Sequence, residues 1–317
     1  MQYYIGVDGG GTKTALAAVG QDISLLAFAK TGSASWREYG IARVIKNIKQ
    51  AIESLPFGKE DTIAGMVLGL PCYGESAEGD QELEQAFLAA FPDTPLYFTN
   101  DVEVGWAGSL GLLPGVNVVA GTGSIAFGKN QAGKAARSGG WSEFFGDEGS
   151  CYWLGRRVME LFSKQSDGRM EQDALYDTVR SALSLANDID FIDLMHTDYI
   201  PQRDKVAALQ LLGIEAALAG SESAKALYVE AAAELCLLVR AIRDKITSES
   251  EPFLVSYTGG LFHAGDLILS EFTRGIADLG GKVTAPKFDP AEGALLLAFS
   301  KFHPDRLPAL QEGLKNN

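Results

Sequence analysis

The sequence contains Ile5-Gly6-Val7-Asp8-Gly9-Gly10-Gly11-Thr12-Lys13-Thr14 and, further along, Val118-Val119-Ala120-Gly121-Thr122-Gly123-Ser124-Ile125-Ala126-Phe127. Both segments are glycine-rich, follow an apolar run and carry hydroxyl groups. Apolar residues alternate again after each turn, so both segments are predicted to form a strand, a tight turn and a strand. Glycine tolerates positive φ and lets an anion approach the backbone, whose N–H groups bind phosphate together with nearby hydroxyls. One such hairpin would be ordinary, but two predict a phosphate held between two related halves.

The two turns differ from the commoner phosphate-binding loops. A P-loop has a lysine directly after its second glycine, whereas Gly11 is followed by Thr12. The segment from Gly121 to Ala126 matches a permissive dinucleotide fingerprint, but a strand is predicted after it instead of the required helix. Neither of these motifs therefore accounts for the pair of turns.

The order of the predicted elements indicates an α/β fold. Three initial strands followed by alternating helices and strands are typical of a mixed sheet covered by helices. The second hairpin restarts this pattern, and a long helical stretch at 150–248 precedes further strands. The other predicted strands cover 3–7, 14–19, 24–29, 63–70, 96–99, 253–257 and 282–286, and the other predicted helices cover 38–55, 81–91, 102–112 and 291–299.

Length and charge limit the possible partners. The chain has 317 residues, which is enough for two domains. Its net charge of -14 argues against a broad nucleic-acid footprint and against attraction to an anionic membrane, so neither partner is expected. A bound polyphosphate would need local help from Mg²⁺ and backbone dipoles. The sequence starts without a signal-peptide pattern and has no apolar stretch of about 18 residues, which predicts a cytoplasmic protein.

The cysteines and histidines are few and scattered. Cys72, Cys151 and Cys236 are odd in number and far apart, which fits reduced, buried thiols better than disulfides. The three histidines lack the spacing of a zinc site, and nothing in their placement favours a Ser-His-Asp triad. The sequence therefore disfavours both kinds of chemistry.

Two aspartates follow strands where ligands commonly bind. Asp8 ends the first strand beside its glycine turn, and a carboxylate next to a polyphosphate needs a cation between them. Asp8 is therefore assigned to the Mg²⁺ shell in preference to an Asx-type turn. Asp101 stands at the carboxyl end of another strand, before a predicted helix. Asp101 could accept a proton from a hydroxyl that attacks phosphorus, or it could cap the helix. Both interpretations stay open, and the two roles can also be adjacent, with Asn100 or Thr99 as the cap.

A third glycine-rich block runs from Gly139 to Ser150 and contains Trp141 and the acidic pair Asp147 and Glu148. Acidic residues before a helix are explained by the helix dipole without any ligand. So many glycines beside an aromatic residue instead favour a loop shaped around a ligand. Carboxylates and an aromatic ring suit the hydroxyls and the apolar face of a sugar, so the block is predicted to bind one.

At these residues the chain resembles the N-acetylglucosamine kinase branch of the BadF/BadG/BcrA/BcrD ATPase family, within the actin, sugar kinase and heat-shock chaperone superfamily. The first turn and the segment from Ala120 to Ser124 are similar to the two phosphate motifs of the family, and Thr99-Asn100-Asp101 is similar to its catalytic aspartate segment. The block from Gly139 to Ser150 is similar to the amino-sugar kinases in particular. Ser256 to Phe262 resembles the adenosine motif, so the match covers most of the chain in order.

The resemblance implies two ribonuclease H-like domains of the actin-like ATPase type around a central cleft for nucleotide and sugar. The first domain is expected to cover residues 1–113, joined by a C-terminal helix at 296–317. The second domain is expected to cover 114–295 and to contain a helical insertion.

The resemblance also implies ATP and Mg²⁺ as cofactors and a small-molecule amino sugar as the partner, and it leaves homodimerisation open. Asp101 is then the catalytic base for the sugar 6-hydroxyl, and Asp8 is the metal residue. The predicted ATP-binding residues are Gly10, Gly11, Thr12, Lys13, Gly121, Thr122, Gly123, Gly259 and Gly260. The predicted sugar-binding residues are Trp36, Asn100, Asp101, Ser124, Gly140, Trp141, Ser142 and Asp147.

The predicted function is transfer of the γ-phosphate of ATP to the 6-hydroxyl of an amino sugar, with N-acetylglucosamine first among the acceptors. Ala34 stands where the family usually has an asparagine, so glucosamine and N-acetylmuramic acid stay open as acceptors. One alternative is an ATPase that activates a radical dehydratase, which would need paired cysteines for an iron–sulfur cluster. Another is a sugar or nucleotide sensor without catalysis, which the presence of Asp8 and Asp101 disfavours.

Overall fold

The computed structural model describes residues 1–58, 60–246 and 253–315. The chain forms two compact units, of which the first comprises Met1–Pro114 and the chain from Ala285 onward, and the second comprises Gly115–Thr284. Each unit is built on a five-stranded sheet that carries helices. This confirms the predicted α/β fold with two domains.

The first unit contains a mixed sheet, and its elements are numbered here in order along the whole chain. The strands are β1 (Gln2–Gly9), β2 (Lys13–Gly20), β3 (Leu26–Gly32), β4 (Thr62–Leu70) and β5 (Leu96–Asn100), and the helices are α1 (Trp36–Tyr39), α2 (Ile41–Glu53), α3 (Ala77–Ala90), α4 (Asp101–Leu110), α12 (Pro290–Phe302) and α13 (Leu307–Lys315). The strand order is β3-β2-β1-β4-β5. The first three strands pair antiparallel, and β4 and β5 extend the sheet parallel to β1.

Different helices cover the two faces of this sheet. Ile5 and Val7 of β1 are buried in a core that includes residues of α2 and α3. Gly6, between them, lies against α12 so closely that a Cβ atom there would be 2.2 Å from the backbone nitrogen of Leu295. Because side chains alternate along a strand, Asp8 projects on the same face as Gly6. The carboxylate of Asp8 therefore lies on the side of the sheet that α12 covers.

The second unit repeats the plan of the first with an added group of helices. Its strands are β6 (Gly115–Ala120), β7 (Ser124–Lys129), β8 (Ala135–Gly139), β9 (Phe253–Thr258) and β10 (Gly281–Val283), and its helices are α5 (Cys151–Ser166), α6 (Ala174–Ala182), α7 (Asp190–Leu194), α8 (Arg203–Ala208), α9 (Gln210–Leu218), α10 (Glu222–Ile246) and α11 (Asp266–Asp278). The strand order is β10-β9-β6-β7-β8. In both sheets the first strand of the glycine hairpin lies between its antiparallel partner and a parallel strand. The two related halves that the sequence predicts are therefore present.

Three local details differ from the sequence prediction. The predicted helix at 38–55 is divided into α1 and α2 at Gly40, whose φ of +83° is incompatible with a continuing helix. Strand β8 was not predicted, because its short and largely polar sequence lacks apolar alternation. The predicted strand at 282–286 ends earlier, at Val283.

The helices between β8 and β9 form the main addition to the second sheet. Helices α5 to α10 occupy the described part of the stretch that the sequence predicts to be helical. The longest of them, α10, buries Leu235, Val239 and Ile242 in the core of this unit. No helix among the described residues combines the length and the apolarity needed to cross a bilayer.

The second boundary between the units lies at Ala285, whereas the sequence placed it at residue 296. The physical reason is the packing of α12, which contacts β1 and α4 of the first unit along its whole length. A Cβ atom on Gly293 would be 2.2 Å from the carbonyl oxygen of Val104 in α4. The predicted single helix at 296–317 is also interrupted, since α12 ends at Phe302 and a 3-10 turn beginning at Pro304 precedes α13.

We expect Gly293→Ala to lower the free energy of unfolding of the first unit by about 3 kcal/mol or more, because the added methyl group overlaps backbone that cannot move away easily. Chemical denaturation checks this. The matched control is Gly313→Ala in α13, where the nearest atom is the Cγ2 methyl group of Ile23 at 3.3 Å and no described backbone atom outside the helix lies within 4 Å. The control should be neutral or stabilising by up to about 1 kcal/mol, because alanine favours helix. Equal stability of the two variants would contradict this packing.

Candidate active site

The first glycine turn is held from one side by the segment that follows β3. The N–H of Gly10 donates to the carbonyl of Lys13 at 2.9 Å, which closes the turn, and the N–H of Ala34 donates to the carbonyl of Gly10 at 3.0 Å. The carbonyl and the N–H of a trans peptide point in opposite directions. The N–H of Gly11 therefore points away from Ala34, at a turn whose residues from Gly11 to Lys13 are exposed.

The second turn is held in the same manner by the start of α5. The N–H groups of Cys151 and Tyr152 donate to the carbonyls of Gly121 and Thr122, at 2.9 and 3.4 Å. By the same peptide geometry, the N–H groups of Thr122 and Gly123 point away from α5. Two adjacent N–H groups with one orientation are the arrangement that binds anions.

One glycine in each turn is required neither by its backbone conformation nor by a close contact. Neither Gly11 nor Gly121 has a φ in the left-handed region, and a Cβ atom on either would meet nothing within 4 Å. Gly260, in the predicted adenosine segment, has the same two properties. Other glycines that face open space have a positive φ, which explains them without a ligand; they are Gly40, Gly74, Gly133, Gly168, Gly220, Gly265 and Gly280. Nothing inside either unit thus requires glycine at these three positions.

The remaining glycines of these turns have structural causes. A Cβ atom on Gly10 would lie 2.8 Å from the carbonyl oxygen of Lys13, and one on Gly123 would lie 2.9 Å from Oδ2 of Asp147. Gly259 has a φ of +106° and lies against the backbone of Ala120 at the end of β6. The adenosine segment is therefore next to the second turn.

The charges of two other aspartates act on Asp8, which lies on the α12 side of the first sheet. Burial, followed by the negative charge of Asp101, raises the pKa of Asp8 to about 7, with Lys13 lowering the pKa and Asp289 adding a smaller increase. Asp101 is the first residue of α4, and Asp289 is the N-cap of α12. The starts of two helices and the end of β1 thus contribute carboxylates to one region of the first unit.

The residue before Asp101 caps α4, and the catalytic role of Asp101 stays a prediction. Asn100 is the N-cap of α4, because its Oδ1 accepts from the N–H of Val102 at 3.1 Å. The Nδ2 group of Asn100 donates to the carbonyl of Tyr73 at 2.7 Å. Both ends of this amide have partners within the first unit, so Asn100 fixes the start of α4 and leaves Asp101, which is partly buried, outside the capping role.

The donor set around Asp8 fits Mg²⁺ held partly through water and phosphate. No group of three or more histidine, cysteine, aspartate or glutamate side chains in the described chain is arranged to hold a metal ion alone. Mg²⁺ commonly uses only one or two carboxylates and fills its other positions with waters and phosphate oxygens. A buried carboxylate whose pKa is raised by neighbouring negative charge is stabilised in its ionised form by a cation. Asp8 suits this role.

The loop from Gly139 to Gly149 has an irregular backbone. Positive φ values occur at Gly139, Gly140 and Gly149, and also at Ser142 (117°) and Asp147 (58°), which have side chains. Backbone conformations of this kind cost free energy and persist where surrounding contacts hold them. Three aromatic side chains of the loop are largely exposed, with exposed fractions of 68% for Trp141, 79% for Phe144 and 72% for Phe145.

Several residues predicted to bind the sugar have partners inside their own unit. The hydroxyl of buried Ser124 donates to the carbonyl of Glu148 at 2.7 Å, and its N–H donates to Oδ1 of Asp147 at 3.2 Å. The Ser142 hydroxyl lies 3.3 Å from Oε2 of Glu143. Gly140 is required by its φ of 70° and by contact with Ile125. Their direct contact with a sugar therefore stays a prediction, and each has a structural role.

Trp36 is a core residue and not a surface for a sugar. Its side chain is 8% exposed, and its indole N–H donates to the carbonyl of Pro71 at 2.9 Å. Ala34 is fully buried, and its methyl group lies near Gly9 beneath the first turn.

Three charged residues near these groups were not predicted: Asp289, Arg203 and Glu143. Asp289 is recognisable in retrospect as the N-cap of a capping box with Glu292. Arg203, the first residue of α8, forms ion pairs with Asp147 and, at 3.4 Å, with Glu143. Nothing in the local sequence of Arg203 indicates these partners, which are far away along the chain.

The cysteines do not support an iron–sulfur cluster. Cys151 is buried, and Cys236 packs against Gly275 and donates weakly to the carbonyl of Phe272. Burial raises the pKa of each thiol to about 11, which disfavours the thiolate that binds iron. Cys72 belongs to the other unit.

The chain is similar to known proteins over most of its length. The model of the BadF/BadG/BcrA/BcrD ATPase family matches residues 5–298. The N-acetylmuramic acid/N-acetylglucosamine kinase of Clostridium acetobutylicum is 28% identical and covers 95% of this chain and 99% of its own length. The N-acetyl-D-glucosamine kinase of Dictyostelium discoideum is 28% identical and covers 94% of this chain and 98% of its own length. A crystal structure described as an N-acetylglucosamine kinase candidate from Chromobacterium violaceum matches with a TM-score of 0.74 and 26% identity, covering 94% of this chain and 99% of that chain.

We expect Asp8→Asn to stabilise the metal-free protein at pH 8 and to have little effect at pH 4. The folded-state pKa of Asp8, about 7, lies above its ordinary value of 3.8, so its favourable contribution is complete below pH 3.8 and is lost as the pH rises to 7. Relative to the variant, the free energy of unfolding of the parent should fall by up to about 1.4 kcal/mol per pH unit in this window.

Denaturation curves recorded with a chelator between pH 4 and pH 8 check the Asp8 prediction. The control is Asp93→Asn, which removes an exposed carboxylate of the same unit. Its pH dependence should follow that of the parent. Parallel curves for Asp8→Asn and the parent would contradict the predicted effect.

Proposed function

Because the chain belongs to the BadF/BadG/BcrA/BcrD ATPase family, we propose that it is an ATP-dependent kinase that phosphorylates the 6-hydroxyl of an amino sugar. N-acetylglucosamine is the leading acceptor, and glucosamine and N-acetylmuramic acid are the other candidates. The observation that carries the proposal is the set of three glycines, Gly11, Gly121 and Gly260, that face open space with an ordinary φ. They occur in the two phosphate segments and the adenosine segment, as binding of ATP would require.

Each unit supplies its own groups for ATP in this proposal. The first unit supplies the N–H of Gly11, the hydroxyl of Thr12 and the charge of Lys13. The second unit supplies the N–H groups of Thr122 and Gly123 for phosphate, and Gly259 and Gly260 for the adenosine. The support is that both turns have their carbonyls bound from the opposite side, which directs these N–H groups outward. A protein with a net charge of -14 needs such local donors to bind a polyanion.

Asp8 would hold Mg²⁺, which when bound would supply positive charge to offset the negative charge of the phosphates during transfer. Ionised Asp8 is the form that serves this purpose. Its raised pKa means that metal binding releases a proton near neutral pH. Lys13 lies on the same turn, and its positive charge favours the ionised form of Asp8.

Asp101 is the base for the acceptor. Asp101 is the first residue of α4, and Asn100 is its N-cap, so the proposal needs no capping role for the Asp101 carboxylate. The 6-hydroxyl donates a hydrogen bond to Asp101, which orients the hydroxyl oxygen for attack. Asp101 takes the proton as this oxygen bonds to the γ-phosphorus and the bond from the γ-phosphorus to the β-phosphate oxygen breaks, releasing ADP. The rate of phosphate transfer then depends mainly on how the reacting groups are positioned and on how the charge that develops in the transition state is stabilised.

The sugar is bound by the loop from Gly139 to Gly149. Exposed Trp141 offers an aromatic surface for the apolar face of the ring, and Asp147 offers acceptors for its hydroxyls. Trp36 and Asn100 have structural roles and are not included among the sugar contacts. We place the reaction in the cytoplasm, where ATP is available.

We expect the parent protein to release ADP only when an amino sugar is present, and Asp101→Asn to reduce kcat by about 10²- to 10⁴-fold, because the base is lost. A coupled assay of ADP release over a panel of sugars checks both points. The control is Glu78→Gln, which removes an exposed acidic group from the first turn of another helix in the same unit. Full activity of Asp101→Asn, or equal ADP release with and without every sugar, would contradict the proposal, and tight sugar binding without product would identify a sensor.

We expect Gly11→Ala and Gly121→Ala to raise the KM for ATP by about tenfold or more without loss of stability, because each methyl group enters space reserved for phosphate. Alanine at an ordinary φ should even stabilise the fold slightly, by about 0.4–1 kcal/mol. Steady-state kinetics and thermal denaturation measure the two effects. The control is Gly58→Ala, whose nearest neighbour would be a side-chain oxygen of Asp61 at 3.4 Å. An unchanged KM for ATP would show that these glycines do not border the nucleotide.

A further inference from the structure

We propose that Arg203 is a positioning residue of the acceptor site, which aims the carboxylates of Asp147 and Glu143 at sugar hydroxyls. This inference rests on the proposed function and adds Arg203 and Glu143 to the residues on which sugar binding depends. It concerns only the second unit, where all of these residues lie.

The guanidinium of Arg203 connects two carboxylates of the glycine-rich loop. Its Nη2 group pairs with Oδ2 of Asp147, and its Nε lies 3.4 Å from Oε2 of Glu143. The planar guanidinium fixes the direction of its hydrogen bond to Asp147, and its charge attracts Glu143 at the same time, so it can position both acids. A Cβ atom on Gly123 would be 3.0 Å from Nη2 of Arg203, which places this cluster beside the second turn.

Burial differs within the cluster. Asp147 is 4% exposed, whereas the side chain of Arg203 is 43% exposed. Asp147 also accepts the N–H of Ser124 at 3.2 Å, so the carboxylate is held from two directions. A carboxylate has about four lone-pair positions, and two donors leave acceptor capacity for a hydroxyl. Asp147 can therefore bind Arg203 and still accept a hydrogen bond from a sugar hydroxyl.

The charge of the cluster favours hydroxyl donors over phosphate. Two carboxylates surround one guanidinium, so an anion that approached this group would meet net negative charge. A sugar hydroxyl instead donates to a carboxylate and gains a charge-assisted hydrogen bond. We therefore assign Arg203 to the acceptor and not to ATP.

Arg203 also anchors a backbone that needs external support. Ser142 and Asp147 both have a left-handed φ, although neither is glycine. Such a backbone conformation costs free energy, which contacts from the surroundings must offset. Arg203 comes from α8 and ties the loop to a separate part of the helical segment, and this contact holds the two acids in one arrangement.

The ionisation of Asp147 depends on the same contact. Burial raises the pKa of Asp147, the N–H of Ser124 and the charge of Arg203 lower it, and Glu143 raises it. Loss of the guanidinium would therefore raise this pKa further. A protonated Asp147 is a poorer acceptor for a sugar hydroxyl, so sugar binding would weaken as the pH falls.

Arg203→Gln and Arg203→Lys test the inference, with Arg157→Gln as the control. Arg157 also bridges two carboxylates in this unit, those of Glu160 and Glu230 at 2.8 and 2.9 Å. We expect Arg203→Gln to raise the KM for the sugar about tenfold or more, while the KM for ATP changes by less than about twofold. Arg203→Lys keeps the charge but cannot orient two acids, so its KM for the sugar should lie between those of the parent and Arg203→Gln.

A pH profile separates positioning from a general loss of structure. The acid limb of kcat/KM for the sugar should move to higher pH in Arg203→Gln and return partly in Arg203→Lys. The inference is overturned if the KM for the sugar in Arg203→Gln stays within about twofold of the parent, or if both KM values rise equally. If Arg203→Gln does not fold, the same criteria apply to Arg203→Lys with sugar binding measured by calorimetry. A parent that neither binds nor phosphorylates any amino sugar would overturn the proposed function together with this inference.

Discussion

The site depends on hydrogen bonds that hold the carbonyl groups of the two glycine turns. Ala34 binds the carbonyl of Gly10, and the first N–H groups of α5 bind those of Gly121 and Thr122. Each of these bonds fixes a peptide plane and so directs the next N–H group to the opposite side. The segment after β3 and the start of α5 are therefore as important for the site as the glycines themselves, although neither was expected to bind phosphate.

The second constraint is the concentration of negative charge in the first unit. Asp8 is placed by the alternation of β1 on the face that α12 covers, and the helices that begin at Asp101 and Pro290 bring two further acids near it. Together with burial, this arrangement raises the pKa of Asp8 to about 7. In the proposed function a bound cation would favour the ionised form of Asp8, so affinity for Mg²⁺ would be obtained at the cost of stability in the absence of the metal.

Much of the fold could be predicted from the sequence, because the apolar periods of β1, β2, β6 and β7 are local signals. Asp8 and Asp101 were identified for the same reason, since each follows a recognisable strand. The contacts of Trp36, Asn100 and Asp147 were not accessible in this way, although Asn100 was one of the residues considered as the cap of α4. Their partners are Pro71, Tyr73 and Arg203, which lie 35, 27 and 56 residues away along the chain. Only the folded chain brings these groups together. The contacts give Trp36 and Asn100 structural roles, and they place the charge of Arg203 beside Asp147, which no motif indicates.

A crystal structure with a non-hydrolysable ATP analogue, Mg²⁺ and N-acetylglucosamine tests the central claim most directly. The account predicts phosphate oxygens at about 3 Å from the backbone nitrogens of Gly11, Thr122 and Gly123, with the 6-hydroxyl on Asp101. Phosphates bound elsewhere, while these three N–H groups contact only protein or solvent, would contradict it.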